Sequence, residues 1–162
     1  MSFASSRRPP MPAPSLVPVF SIAAEVAPAV EVGMTPVGER RLIPILGGEV
    51  TGPRLSGKVL PGGTDYQSIR DAGLADIHAR YVIETADGAR IYVENTGIRR
   101  GPPDLIARLR QGEVIDASKI YFRTVPRFET ASPDHLWLMR SIFVCVGTRL
   151  PDRVLLDIYE VG

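Results

Sequence analysis

One stretch of the chain predicts a β-hairpin directly: IHARYVIETADGARIYVEN, residues 77–95. Apolar and polar residues alternate on both sides of Asp87-Gly88, which is a strong local signal for a tight turn between two strands. A two-residue loop would pair Ile83 with Tyr92 and would mix apolar and charged partners on both faces. A three-residue loop, Ala86-Asp87-Gly88 with a left-handed Gly88, pairs Ile83 with Ile91 and separates aliphatic pairs from charged ones. We therefore predict the three-residue loop.

This register determines which polar side chains face the interior of the sheet. Ion pairs Glu84–Arg90 and Arg80–Glu94 fall on the outer face, whereas Tyr81 and Asn95 point inward. A buried hydroxyl or amide needs a hydrogen-bond partner, so Tyr81 and Asn95 are either satisfied within the wall or available to a ligand. We list both as candidate ligand-binding residues.

The rest of the chain has the same pattern, in which short apolar segments alternate with turn residues. Its 15 Gly and 15 Pro disfavour long helices. The pattern predicts strands at residues 17–26, 41–50, 54–60, 77–85, 90–98, 120–125, 140–148 and 153–161. Capping residues, Pro and Gly predict three short helices, at residues 65–73, 102–112 and 132–138. The predicted fold class is mainly all-β: a single closed antiparallel barrel of eight to ten strands with two or three short helices.

Composition limits the classes of function. A chain of 162 residues suits one domain, predicted at residues 16–162 after a disordered, Pro-rich tail at residues 1–15. A net charge of +1 argues against nucleic-acid binding, and no apolar run approaches the ~20 residues of a membrane helix. Pro interrupts the N-terminal segment, which argues against a secretory signal. The single cysteine, Cys145, lies in an apolar run and is interpreted as a buried hydrophobe, so we expect a cytoplasmic protein.

Several phrases of the sequence occur together in one family. They are Gly47-Gly48, residues 52–57, residues 60–66, Ala79-Arg80-Tyr81, residues 87–93, residues 121–124, Phe128-Glu129-Thr130 and residues 136–140. In order and spacing the set resembles the domain of unknown function 3237 family, also called uncharacterised protein family 0311, of small bacterial proteins. The resemblance implies a calycin-like antiparallel barrel and no established reaction. The sequence departs from the family pattern at Tyr66, where Trp is usual, and at Met139, where Asn is usual.

Asp65 follows two glycines that let a ligand approach the backbone, and it is a candidate catalytic acid or base. The competing interpretation is the N-cap of the helix predicted at residues 65–73, where a carboxylate stays ionised. Glu129 is the second candidate catalytic carboxylate. The glycines do not form a phosphate loop, because no Lys-Ser or Lys-Thr follows them.

Three further residues are candidates for ligand binding. Arg123 points into the barrel if Phe122 packs outward, and a buried guanidinium then needs Asp65, Glu129 or an anionic ligand as its partner. The alternative, a solvated Arg123 with Phe122 inward, is equally compatible with the pattern. Arg140 either pairs with Glu129 or faces a ligand, and Trp137 is either a lid over the ligand or an ordinary packed residue.

These residues support three hypotheses. The first is a barrel that binds one small organic molecule carrying a carboxylate, enolate or phenolate. The second is a cofactor-independent isomerase, lyase or cyclase in which a carboxylate exchanges a proton and an Arg stabilises the oxyanion. The third is an oligomeric structural protein whose polar residues are internally satisfied. We expect no cofactor and no metal, since His78 and His135 have no second ligand at metal spacing, whereas a homo-oligomer is compatible with each hypothesis.

Overall fold

Ten β-strands make up most of the described part of the chain, residues 9–162 of a computed structural model. In chain order they are β1 (Leu16–Val26), β2 (Val30–Thr35), β3 (Gly38–Thr51), β4 (Gly57–Val59), β5 (Gly63–Asp71), β6 (Leu74–Thr85), β7 (Arg90–Arg100), β8 (Tyr121–Thr130), β9 (Ile142–Arg149) and β10 (Arg153–Val161). One α-helix, α1 (Pro103–Arg110), and two 3-10 helices, Ala117–Lys119 and Pro133–Met139, connect them. The mainly all-β prediction is confirmed.

The sheet closes into a barrel because β1 pairs with β10 on one side and with β3 on the other. All neighbouring strands are antiparallel, and the ring continues from β10 through β9, β8, β7 and β6. β4 and β5 both pair with β3 and β6, one beyond the other, so together they occupy one strand position of the ring. β2 pairs with β3 beyond the residues that pair with β1, so β1 and β2 also occupy one position. Ten strands therefore fill eight positions, and closure removes the exposed edges of an open sheet.

The β6–β7 hairpin has the predicted register. Ile83 lies opposite Ile91, Tyr81 opposite Val93 and Ala79 opposite Asn95. On the outer face Arg90 pairs with Glu84 at 3.1 Å. Gly88 closes the loop with φ +86°, a left-handed conformation that glycine adopts without the clash of a side chain. The three-residue loop is confirmed.

Two of the three predicted helices are present and one is wrong. α1 lies within residues 102–112, and residues 133–139 form a 3-10 helix. Residues 65–73 instead contain most of β5 and its turn into β6. Asp65 and Gln67 face the barrel interior from β5, and of that face only Ile69 is apolar, so the alternating apolar pattern that identifies a strand is weak here.

The hydrophobic core fills one end of the barrel, which we call the closed end and define by Phe128, Leu138 and Phe143. Phe128 and Phe143 meet edge to face with their ring centroids 5.3 Å apart. Cys145 lies in the same core, and burial raises the pKa of its thiol to about 12, as expected for an unreactive cysteine.

The N-terminal prediction concerns residues of which only some are described. Residues 9–15 have no regular secondary structure, and residues 1–8 lie outside the described part of the chain. Within residues 9–162 no helix combines the length and hydrophobicity needed to cross a membrane.

Candidate functional site

A cavity of about 50 Å³ lies inside the barrel, between the core and the end opposite the closed end. We call it the inner cavity. Its polar lining residues are Asp65, Gln67, Tyr81, Asn95, Arg99 and Arg149, and its apolar lining residues are Ala24, Val26, Ile43, Ile45, Ile77, Ala79, Phe122, Val154 and Leu156. It thus combines an aliphatic wall with a few convergent polar groups, which is typical of small-molecule sites.

A second space of about 460 Å³, which we call the vestibule, lies at the mouth of the barrel. Its lining includes Arg41, Arg110 and the end of α1. Val26, Ile43, Arg99 and Arg149 line both the vestibule and the inner cavity, so the two spaces adjoin. The inner cavity alone is too small for a drug-sized ligand, but the two spaces together exceed the ~300 Å³ at which such pockets begin.

Arg99 stands at the junction of the two spaces. It extends from the end of β7 and is 4% exposed. Its Nε and Nη2 atoms are buried and have no hydrogen-bond partner among residues 9–162. Burial, followed by repulsion from Arg41, Arg149 and Arg110, lowers the pKa of Arg99 to about 10, and attraction to the Asp65 carboxylate opposes this shift only in part. The guanidinium is still charged at neutral pH, and it is a buried cation with two free donors.

Of the four arginines that line the vestibule, two form ion pairs with carboxylates of the described chain and two do not. Arg41 Nε donates to Glu31 at 2.9 Å, and Arg110 Nη2 donates to Glu39 at 2.6 Å. Arg149 Nη1 donates only to backbone, to the carbonyl oxygens of Leu150 at 2.7 Å and Arg153 at 3.2 Å. Within the described chain, neither Arg99 nor Arg149 has a carboxylate oxygen within 4 Å.

Asp65 brings a carboxyl group to the inner cavity. Its Oδ2 accepts a hydrogen bond from Gln67 Nε2 at 2.8 Å, and its Oδ1 accepts one from the backbone N–H of His78 at 3.0 Å. The pairing of β5 with β6 is interrupted between the pair Asp65–Ala79 and the pair Ser68–Asp76. At this interruption the backbone N–H of His78 donates to the Asp65 side chain. Burial raises the pKa of Asp65, and these hydrogen bonds only partly oppose it. The N-cap interpretation is wrong, because Asp65 lies in a strand.

Two amide oxygens complete the polar lining. Asn95 is 2% exposed, and neither its Oδ1 nor Gln67 Oε1 has a hydrogen-bond partner among residues 9–162. Asp65, Ala79 and Asn95 lie opposite one another on three neighbouring strands, and the small Ala79 leaves room between the two polar side chains. Tyr81 lines the same cavity, and burial raises the pKa of its hydroxyl.

The structure thus brings Asp65, Tyr81 and Asn95 together, but it does not bring Arg123 or Glu129 to the cavity. Strand β8 buries Phe122, Thr124 and Phe128, so the alternate residues Arg123 and Glu129 are exposed on the outer face. The interior orientation considered for Arg123 is wrong. The apolar ring of Phe122 takes the interior position, and Arg123 Nη1 donates to the Phe122 carbonyl oxygen at 2.9 Å.

Trp137 and Arg140 lie at the closed end, away from the inner cavity. Trp137 packs edge to face on Phe143, with the ring centroids 5.8 Å apart, and the Arg54 guanidinium lies 3.8 Å from the ring centroid. Arg140 is exposed and, within residues 9–162, forms no ion pair with Glu129. A cation–π contact and core packing account for Trp137, so it is not a lid over this cavity.

Sequence reasoning missed Arg99, Gln67 and Arg149. A signal for Arg99 was present, because Ile91, Val93, Asn95, Gly97 and Arg99 continue one alternating face of β7. The strand was predicted to end at residue 98, where charged residues begin. Gln67 was hidden by the helix wrongly predicted over β5.

Fold and site together define a class: a small closed antiparallel barrel whose interior holds an arginine and amide oxygens that find no hydrogen-bond partner among residues 9–162. The chain belongs to the family described as protein of unknown function DUF3237, whose model matches residues 14–161. A UPF0311 protein from Bradyrhizobium diazoefficiens is 53% identical over 143 residues, which are 88% of this chain and 93% of that protein. A UPF0311 protein from Clostridium acetobutylicum is 48% identical over 145 residues, 89% of this chain and 92% of that protein.

Solved structures of similar proteins have the same fold as this chain. A conserved protein of unknown function from Rhodopseudomonas palustris has a TM-score of 0.88 at 47% identity, with 94% of this chain and 99% of that chain covered. A β-barrel-like protein from Acinetobacter baumannii has a TM-score of 0.83 at 36% identity, with 96% and 100% covered. A protein described as an enzyme, from Penicillium herquei, has a TM-score of 0.69 at 22% identity, with 96% and 98% covered. At that identity the likeness concerns the fold alone.

Proposed function

We propose that the barrel binds one small organic molecule and that a carboxylate, enolate or phenolate of this ligand contacts Arg99. The observation that carries the proposal is the buried Arg99 guanidinium, whose Nε and Nη2 nitrogens have no hydrogen-bond acceptor among the described residues. A buried charge is costly unless it is paired and hydrogen-bonded. An anion entering through the vestibule would supply the missing charge and accept both hydrogen bonds.

The surroundings of Arg99 favour an anion over a neutral ligand. Arg149 lines the same two spaces and lacks a carboxylate partner among the described residues. The planar fork of a guanidinium matches the two oxygens of a carboxylate, and two such groups facing one cavity strengthen the attraction.

The test is ligand-induced stabilisation by small aliphatic and aromatic carboxylic acids. An acid at one hundred times its Kd should stabilise the wild-type protein by about 2.7 kcal/mol in chemical denaturation, because only the folded state binds it. Arg99→Met should abolish this stabilisation. Arg123→Met is the matched control, since it removes an exposed Arg from the outer face. Absence of stabilisation by every acid, or equal stabilisation of Arg99→Met, would refute the proposal.

A second candidate function is cofactor-independent catalysis, as an isomerase, a lyase or a cyclase. The observation that favours it is the Asp65 carboxyl group, which faces the inner cavity with a raised pKa and is therefore a better proton acceptor than an exposed carboxylate. Asp65 would take a proton from a carbon beside the ligand carbonyl and return it elsewhere, while Arg99 would stabilise the oxyanion. Glu129 has no part in this scheme, because it lies on the outer face.

Hydrogen exchange tests the catalytic candidate. A bound keto acid in D₂O should exchange the hydrogens beside its carbonyl faster with the wild-type protein than without protein, as followed by NMR. Asp65→Asn should remove the acceleration, although the acid still binds. If exchange is equally fast with the wild type and with Asp65→Asn, Asp65 is not the proton acceptor, and binding remains the proposed function. The structural hypothesis is less favoured than either, because Arg99, Gln67 and Asn95 are not satisfied within the described chain.

A further inference from the structure

The inner cavity separates hydrogen-bond donors from acceptors that have no partner in the part of the chain that the structure describes. The donors are Arg99 Nε and Nη2, and the acceptors are Asn95 Oδ1 and Gln67 Oε1. All three side chains line the cavity, and each is nine-tenths or more buried. An anion at Arg99 accepts hydrogen bonds but donates none. It therefore leaves both amide oxygens without a partner.

The two kinds of group lie at different depths. Arg99 lines both the vestibule and the inner cavity, whereas Asn95 and Gln67 line only the inner cavity. Asn95 is on the same strand as Arg99, four residues deeper, which separates their Cα atoms by about 13 Å at the rise of a β-strand. A ligand that enters through the vestibule therefore meets the donors first and the acceptors at its inner end.

Gln67 is oriented by its neighbour. Its Nε2 donates to Asp65 Oδ2 at 2.8 Å, so the other amide atom, Oε1, is left as the free acceptor. An unsatisfied buried acceptor costs about 1–3 kcal/mol, and two of them in one small cavity imply a partner that donates. A water molecule could donate to them, but a ligand that displaces it gains affinity only if the ligand reproduces those hydrogen bonds.

We propose that the ligand is a hydroxy-substituted carboxylic acid, with its carboxylate on Arg99 and its hydroxyl beside the two amide oxygens, donating its one hydrogen to Asn95 Oδ1. This inference rests on the proposed function, because it places the anionic group at Arg99. The hydroxyl end occupies the inner cavity of about 50 Å³, which admits only a few atoms, and the remainder of the molecule lies in the vestibule. A site built to receive a hydroxyl rejects the analogue that lacks it, because the site's own polar groups then stay unpaired.

Isothermal titration calorimetry with matched acids tests the inference. The probes are benzoate against its three hydroxy isomers, and butyrate against 4-hydroxybutyrate. We expect at least one hydroxy acid to bind the wild-type protein tenfold or more tightly than its parent acid. In Asn95→Leu, a replacement of similar size without an acceptor, the ratio should fall below threefold, because the hydroxyl loses its acceptor and the parent acid no longer leaves Asn95 Oδ1 unpaired.

Thr124→Val is the matched control. Thr124 is buried on β8 but does not line the cavity, so removal of its hydroxyl should leave the ratio intact. The wild-type ratio needs no variant, so a failure of Asn95→Leu to fold does not prevent the test. If acids bind but no hydroxy acid is preferred, the inference is wrong and the proposed function stands. If no acid binds, both are wrong. A preference that survives in Asn95→Leu also overturns the inference, because the hydroxyl then binds elsewhere.

Discussion

Replacing Arg99 with Met should make the ligand-free protein more stable. Burial and three neighbouring arginines lower the pKa of Arg99 from 12.5 to about 10. One pKa unit corresponds to about 1.4 kcal/mol, so the folded state disfavours the charged side chain by about 3 kcal/mol. Met has an unbranched apolar side chain that removes this cost while filling much of the same space. Because Met does not fill the whole volume, we expect a net gain of about 1–3 kcal/mol.

The assay is urea denaturation of the ligand-free proteins at pH 7, with the free energy of unfolding taken at equal m-values. The direction of the Arg99 pKa shift also determines how the stability difference between the two proteins depends on pH. Between about pH 10 and 12.5 the unfolded chain binds more protons at this residue, so the penalty in the wild type disappears as the pH rises through that range. The difference between the proteins should therefore shrink above pH 10.

Arg123→Met is the control, because it removes an exposed Arg and should change stability by less than about 0.5 kcal/mol. A saturating acid should reverse the order of stability, since only the wild type gains from binding. A loss of stability in ligand-free Arg99→Met would refute the reasoning, because Arg99 would then be paired in the folded protein.

Three further predictions concern the cavity and the hairpin. Burial raises the pKa of Asp65 above its value in the unfolded chain, so the folded state binds more protons there and this residue lowers stability as the pH rises through the raised pKa. Asp65→Asn should remove this loss of stability, measured as the free energy of unfolding in chemical denaturation between pH 4 and 8. If that free energy depends on pH in the same way in the two proteins, the prediction is wrong. Ala79→Leu should fill the inner cavity, cost about 1–3 kcal/mol by overpacking and abolish stabilisation by acids; retained binding would place the ligand elsewhere. Gly88→Ala should cost about 1 kcal/mol, measured by urea denaturation, because a Cβ there meets no neighbour and only the positive φ opposes it. An unchanged midpoint would mean that the turn rearranges.

Local patterns in the sequence were sufficient for the hairpin, for most strands and for α1. The register of β6 and β7 follows from alternation around Gly88, and the same alternation directed Tyr81 and Asn95 inward. Such patterns work because neighbouring residues of a strand face opposite sides of a sheet, whatever lies further away. They fail where polar residues occupy inward positions, as Asp65 and Gln67 do in β5, because the apolar signal for a strand is then weak.

The sequence by itself therefore determined a small antiparallel barrel with polar side chains inside it, and the tertiary structure decided what those side chains can bind. Arg41, Arg99, Arg110 and Arg149 come from β3, β7, α1 and β9, and nothing in their spacing shows that they converge. Whether an arginine is paired depends on which carboxylates closure of the barrel brings within reach. Glu31 and Glu39 reach Arg41 and Arg110, while no carboxylate oxygen of residues 9–162 lies within 4 Å of Arg99. That imbalance of charge is a property of the closed barrel, because only closure removes water as an alternative partner.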